Sequence, residues 1–187
     1  MPDSSAPSIL QRSYTITADV EIPEGGAEGM IVTEGGRFAG YGLFLSKGEL
    51  GVGRGKPVFL YNLLDVKRTA WEGPELKPGK HTITFDFRFD GGAFGAGGTG
   101  ILSVDGKEVD KKSMEHTVPF IFQWDETFDV GLDTGTPVSL IEYHYDCPFK
   151  FTGKIDKLTY QLGPVQIPQE GQQTLQKAAE RIAQGKD

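Results

Sequence analysis

The residues able to do chemistry in this chain are few and scattered. There are three histidines, His81, His116 and His144, and one cysteine, Cys147. None stands in a Gly-x-Ser-x-Gly, His-Glu-x-x-His, Cys-x-x-Cys or phosphate-loop spacing, the patterns that set a nucleophile beside its base or gather ligands around a metal. The histidines therefore read as isolated structural or surface residues. Cys147 lies in Tyr145-Asp146-Cys147-Pro148. Negative neighbours disfavour the thiolate, so it reads as an inert thiol. Glycoside hydrolysis needs two carboxyl groups about 5 to 9.5 Å apart across a cleft. Glu72, Glu75, Asp86 and Glu142 are the carboxylates to weigh, but no Glu-x-Asp-x-x-Glu run exists, and the strand pattern around Asp86 offers only that one acid on its polar face. No catalytic residue is assigned.

Binding chemistry has better candidates. The segment from Trp124 to Pro137 is the most acidic, and the hard oxygen ligands of Asp125, Asp129 and Asp133 could suit calcium. Their spacing is not that of an EF-hand loop, and Asp or Thr before Gly also forms turns through side-chain to backbone bonds. No organic cofactor is expected. Aromatic rings outside strands could stack on the apolar faces of sugars while polar groups orient them. Phe94, Trp124, Tyr143 and Tyr145 are the candidate ligand contacts, with Phe94 and the 141–149 loop expected to be exposed. Tyr41, Phe59, Tyr61 and Trp71 are possible platforms too, although most strand aromatics are expected in the core. The run from Asp90 to Gly100 has no Lys-Ser/Thr and no helix after it, so it reads as a long adaptable loop rather than a phosphate cradle.

The elements that must position these residues are strands. Tyr14, Ile16, Ala18, Val20 and Ile22 alternate with polar residues, the period of a half-buried strand. Ile83, Phe85, Phe87 and Phe89 alternate likewise against Thr82, Thr84, Asp86 and Arg88. Further strand-like runs cover 29–34, 41–46, 57–63, 98–104, 107–112, 127–132 and 149–162. Asp105-Gly106 marks a tight hairpin, and the pattern of the last run slips near Asp156 as at a β-bulge. Strands punctuated by Gly, Pro and Asp turns predict an all-β, antiparallel fold, a two-sheet sandwich or a barrel, over an α/β sheet. We divide the chain into an arm over 1–11, a sandwich over 12–163 and a tail over 164–187. In the tail, Leu175, Ala178, Ala179 and Ile182 predict a helix over 171–184.

Composition narrows the function. The 187 residues fit one domain, and the 26 glycines sit at turns without a repeat. A formal charge of −7 with interspersed signs repels phosphate backbones and offers no basic block to an anionic membrane. No run of about 18 apolar residues is present, so no helical membrane span is expected. Residues 1–10 lack the charged and apolar regions of a signal peptide.

An ordered set of segments resembles the C-terminal region of bacterial arylsulfatases. It comprises Gly29 to Phe38 with Tyr41-Gly42-Leu43, Pro57 to Asn62, Pro78 to Thr82, Gly97-Gly98-Thr99 with Val104 to Lys107, Asp125 to Gly131, Asp133 to Pro137, and Phe151 to Asp156. The resemblance spans about residues 12–163. It implies a concanavalin A-like or laminin G-like jelly roll appended to an α/β catalytic domain that carries a Cys-x-Pro-x-Arg motif. Cys147-Pro148-Phe149-Lys150 is not that motif, so no sulfatase catalytic residue carries over. The resemblance further implies a non-catalytic accessory role, a sulfatase catalytic domain as partner in cis or in trans, and export to the periplasm or beyond. The reading beside it is an autonomous lectin-like module that binds carbohydrate.

Overall fold

The structure is a computed structural model that describes residues 6–48, 53–122, 126–169 and 171. Among the described residues, ten strands run in chain order: β1 (Tyr14–Ile22), β2 (Gly29–Gly35), β3 (Gly40–Leu45), β4 (Pro57–Leu63), β5 (Lys67–Glu72), β6 (Gly79–Phe89), β7 (Ala96–Val104), β8 (Lys107–His116), β9 (Phe128–Val130) and β10 (Lys154–Leu162). They form two five-stranded sheets with orders β10-β1-β6-β7-β8 and β5-β4-β3-β2-β9. Every named pairing is antiparallel.

The alternation of β1 and β6 produces the first sheet as expected. Ile16, Ala18 and Val20 of β1 and Ile83, Phe85 and Phe87 of β6 turn inward and are buried. They meet Leu43, Phe59 and Trp71 of the second sheet in one core. The two layers interlock where Phe59 stacks on Phe85, with centroids 3.5 Å apart and ring planes 12° apart. Trp71 meets Phe85 edge-on at 4.9 Å and donates its indole N–H to the Gly100 carbonyl at 2.9 Å. The strand aromatics Tyr41, Phe59, Tyr61 and Trp71 are all in this core.

β2, β3 and β4 are buried almost throughout, because the second sheet is covered on its outer face as well. The cover is the connection from β9 to β10. It starts beside β2, where Gly131 N–H reaches the Ile31 carbonyl, passes the far strand ends at Thr136 and Val138, and returns to β2 at Phe149. Beneath it, Met30, Phe44, Val58 and Leu60 form a second apolar cluster with Val138, Tyr145 and Phe149.

Several local expectations hold. Asp105 and Gly106 both adopt positive φ in the β7–β8 hairpin. The pairing of β1 with β10 jumps from Asp19–Lys157 to Val20–Ile155, which leaves Asp156 as the bulged residue. Others need correction. The glycine run is not a long loop, since β7 begins at Ala96. Side chains at Gly98 and Gly100 would collide with the rings of Phe87, Trp71 and Phe85, so those glycines make room for aromatics inside a strand. β8 extends to His116, and β10 starts at Lys154 rather than Phe149. β5 has no counterpart in the sequence reading. In the arm, Ile9 is buried in the core. The helix expected over 171–184 lies outside the described residues except Gly171.

Candidate functional site

Among the described residues, the end of the cover nearest the β3–β4 connection does not close completely. It leaves a cavity of about 340 Å³ bounded by Phe44, Ser46, Lys56, Glu72, Tyr143 and His144, among others. Lys56 precedes β4, and Glu72 is the last residue of β5. The antiparallel β3–β4–β5 register therefore brings them to one edge. Tyr143 arrives from the cover, held by its backbone N–H on Ser139 Oγ at 3.2 Å and by edge-on packing of its ring on Phe44 at 5.8 Å.

These groups form a fixed polar chain. Lys56 Nζ donates to Glu72 Oε1 at 2.9 Å, and Tyr143 O–H donates to Glu72 Oε2, also at 2.9 Å. Glu72 N–H in turn donates to Asp110 Oδ2 at 3.0 Å, and Lys112 Nζ caps the same carboxylate at 2.7 Å. Partial burial alone would raise the Glu72 carboxyl. The hydrogen bonds from Lys56 and Tyr143 and the charges of Lys56 and Lys112 outweigh it and hold the group below its ordinary value. Burial, then the adjoining Glu72 carboxylate, pushes the Tyr143 phenol well above its ordinary value. The cavity thus presents a neutral phenol, an ionised carboxylate and an ammonium in a set geometry beside an aromatic wall. That arrangement can hold a polyhydroxylated ligand with one apolar face.

The sequence candidates separate in space. Tyr143 lines the cavity. Tyr145 does not offer a surface: it is 1% exposed, stacks on Phe149 at 4.5 Å, and accepts the Val138 N–H at 3.0 Å while donating to Asp133 Oδ2 at 2.6 Å. Its expected exposure is corrected because the cover folds inward over Phe44. Phe94 is exposed but belongs to the β6–β7 connection, at the opposite end of the strands from Glu72. Trp124 lies outside the described residues. Sequence reasoning missed Lys56, which carries no local signal beyond its place before a strand, and considered Glu72 only as an acid.

Two of the three acidic candidates, Asp129 and Asp133, lie within the described residues, and each is held by neighbours of its own. Asp129 Oδ2 accepts from Thr134 Oγ1 at 2.6 Å and from Thr134 N–H at 3.3 Å. Asp133 is 2% exposed and accepts from Gly135 N–H at 3.1 Å as well as from Tyr145. Burial raises its carboxyl above the ordinary value against those bonds. Asp125 lies outside the described residues. Among the described residues, no group of three or more His, Cys, Asp or Glu is placed to hold a metal ion. The Cys147 thiol is pushed up to about 12 by burial and by the facing Asp133, as befits an inert residue. His81 is structural too: its Nδ1 meets Asp105 at 2.8 Å and its Nε2 meets the Lys77 carbonyl at 2.9 Å, which ties the hairpin tip to the β5–β6 turn.

The sequence matches no protein-family model and no curated protein. Solved structures resemble its architecture. Domains LG4-5 of the mouse laminin alpha1 chain match 90% of this chain and 40% of their own, with a TM-score of 0.56 and 14% identity. The fold is a laminin G-like jelly roll. Full-length tailspike protein 2 of an Escherichia coli O157:H7 bacteriophage matches 84% of this chain and 20% of its own, with a TM-score of 0.51 and 15% identity. The enzymatically active domain of bacteriophage CBA120 tailspike protein 2 matches 85% of this chain and 23% of its own, with a TM-score of 0.51 and 16% identity. The chain therefore spans well under half the length of each of these proteins, and at such identities the likeness concerns the fold.

Proposed function

We propose that this chain is a non-catalytic carbohydrate-binding module whose ligand seats in the cavity between Lys56 and Tyr143. The observation that carries this reading is the Lys56–Glu72–Tyr143 hydrogen-bonded chain standing open beside the Phe44 and Tyr143 rings. A sugar ring would lay its C–H face on the aromatic wall, and its hydroxyls would exchange with the fixed donors and acceptors. The jelly-roll fold is compatible with this use but does not imply it. The test is a panel of neutral and charged oligosaccharides assayed by calorimetry with the full chain, with and without calcium. Binding that is lost in Tyr143→Ala supports the reading. No binding across the panel would remove it. Dependence on calcium would return the acidic segment around Asp129 to consideration.

A second reading rests on a different observation, the ordered sequence resemblance over residues 12–163 to the C-terminal region of arylsulfatases. On that reading the jelly roll assists a sulfatase catalytic domain, in cis or in trans, and export accompanies it. The solved structures also carry this architecture as part of longer chains. Intact mass of the native polypeptide decides the cis form. A mass well above 20.4 kDa with upstream peptides containing Cys-x-Pro-x-Arg would favour it.

A further inference from the structure

The charges around the cavity are answered from within the chain. Lys47, Lys56, Glu72, Glu142 and His144 line it. Glu72 holds Lys56 Nζ at 2.9 Å. Glu142 Oε2 faces Arg68 Nη1 at 4.0 Å and accepts from Ser139 Oγ at 3.3 Å. The His144 ring meets the Leu140 carbonyl through Nδ1 at 3.3 Å and turns Nε2 toward Asp146 at 3.7 Å. Lys47 is exposed, so water screens its charge. On the wall itself, two lysines stand against two glutamates.

This balance decides what can enter. A ligand carboxylate or sulfate would compete with Glu72 for Lys56, and the half-buried Glu72 carboxylate would lose its counter-charge. A ligand ammonium would meet Lys56 beside Glu72 and Arg68 beside Glu142. Hydroxyls displace nothing. Lys56 has donors to spare after its bond to Glu72, and each Glu72 oxygen can accept more than one hydrogen bond. Adjacent hydroxyls on a sugar ring are spaced much as Lys56 Nζ and Glu72 Oε1 are, at 2.9 Å. One can accept from the ammonium while the other donates to the carboxylate, and the ion pair stays intact.

We infer that the cavity selects an uncharged saccharide, gripped through two adjacent hydroxyls by the Lys56–Glu72 pair; this rests on the carbohydrate-binding reading above. Charge balance, not shape alone, then sets the specificity of the site, since a ligand of either sign must break a pair to bind.

Calorimetry on the full chain tests this. Glucose, galactose and mannose oligosaccharides are set against matched oligosaccharides of glucuronic acid, galacturonic acid and glucosamine. The best neutral ligand should bind about tenfold or more tightly than its charged counterparts and keep its affinity in raised salt. It should lose binding once periodate cleavage and borohydride reduction have opened its vicinal diols. Lys56→Met leaves Glu72 without its counter-charge, so the preference should shift about tenfold toward the glucosamine ligand. The ligand comparisons use the unaltered chain and do not depend on that variant folding. A charged oligosaccharide that binds as tightly as the neutral one, and is lost in Tyr143→Ala, would overturn this inference while leaving the carbohydrate reading in place. So would a neutral ligand that survives periodate, or an unchanged preference in folded Lys56→Met. No binding by any class would remove both.

Discussion

Tyr145 and Asp133 form the polar centre of the cover over the second sheet: the phenol donates to the buried carboxylate at 2.6 Å and accepts the Val138 amide at 3.0 Å. Asp133 also exchanges backbone hydrogen bonds with Phe149 in both directions. This group fastens the start, middle and end of a long connection, with Met30 and Phe44 packed beneath it. Tyr145→Phe keeps the ring but leaves a buried carboxylate oxygen and the Val138 N–H without their partner. The expected cost is about 2–3 kcal/mol in urea unfolding, well above that of deleting an exposed hydroxyl. A loss under about 0.5 kcal/mol would mean that water replaces the phenol and the cover is looser than drawn.

Asp133 also gives the protein a pH signature. Burial raises its folded value above the ordinary one, so the folded state holds the proton more tightly than the unfolded chain. Its contribution to stability is therefore lost as pH rises from the unfolded value, about pH 4, through the raised folded value. Glu72, Asp105 and Asp110 are shifted the other way, and their contributions are lost as pH falls below about 4. Asp133→Asn isolates the first effect. The melting temperature of the original chain relative to this variant should rise as pH is lowered from neutrality and level off near pH 4. A difference that is flat with pH would contradict the assignment.

Much of the fold is legible in the sequence, because the first sheet has one wet face. β1 and β6 alternate cleanly, and Asp105-Gly106 and the slip at Asp156 mark a turn and a bulge that the structure contains. The second sheet is harder to read, since the cover makes both its faces apolar and removes the alternation from β2 to β4. The cover also hides Tyr145, which looks like a loop residue until its carboxylate partner is seen. β5 is silent for another reason. Its hairpin is turned by Leu64 and Asp65 at positive φ, with no Asn-Gly signal, and Lys67-Arg68-Thr69 is polar. The cavity arises from strand register, which sets Lys56 beside Glu72 across a hairpin, and no local motif announces that.

That β4–β5 hairpin makes a prediction of its own. Leu64 sits at φ 53 and is mostly exposed, so it bears the cost of the left-handed region without much burial in return. Asn tolerates that region better. Leu64→Asn should stabilise the chain by about 0.5 kcal/mol in thermal unfolding, and a clear destabilisation would show that Leu64 packs more than its exposure indicates.

Gly100 tests the aromatic core. Its position faces Trp71 and Phe85, whose rings lie 2.6 and 2.7 Å from where a side chain would begin. The rings are rigid and packed edge-on against one another between the sheets, so they have little room to yield. Gly100→Ala should cost about 1–3 kcal/mol, with altered tryptophan fluorescence in the folded state. Gly106→Ala, which would meet no atom nearby, should act only through its positive φ and leave the fluorescence unchanged.

The cavity can be separated from the fold at Glu72. Its side chain is partly exposed and its pairing with Lys56 is solvated, so Glu72→Gln should lower stability by less than about 1 kcal/mol. For a bound sugar the same change is larger. The carboxylate holds Tyr143 O–H and Lys56 Nζ in their positions, and an amide accepts on one atom only, so one of the two turns away. An oligosaccharide that binds the original chain should therefore lose about tenfold or more in affinity to Glu72→Gln at unchanged melting temperature. Equal affinity would move the ligand off this cavity. A fall in affinity that tracks a fall in melting temperature would show that Glu72 serves the fold and not the ligand.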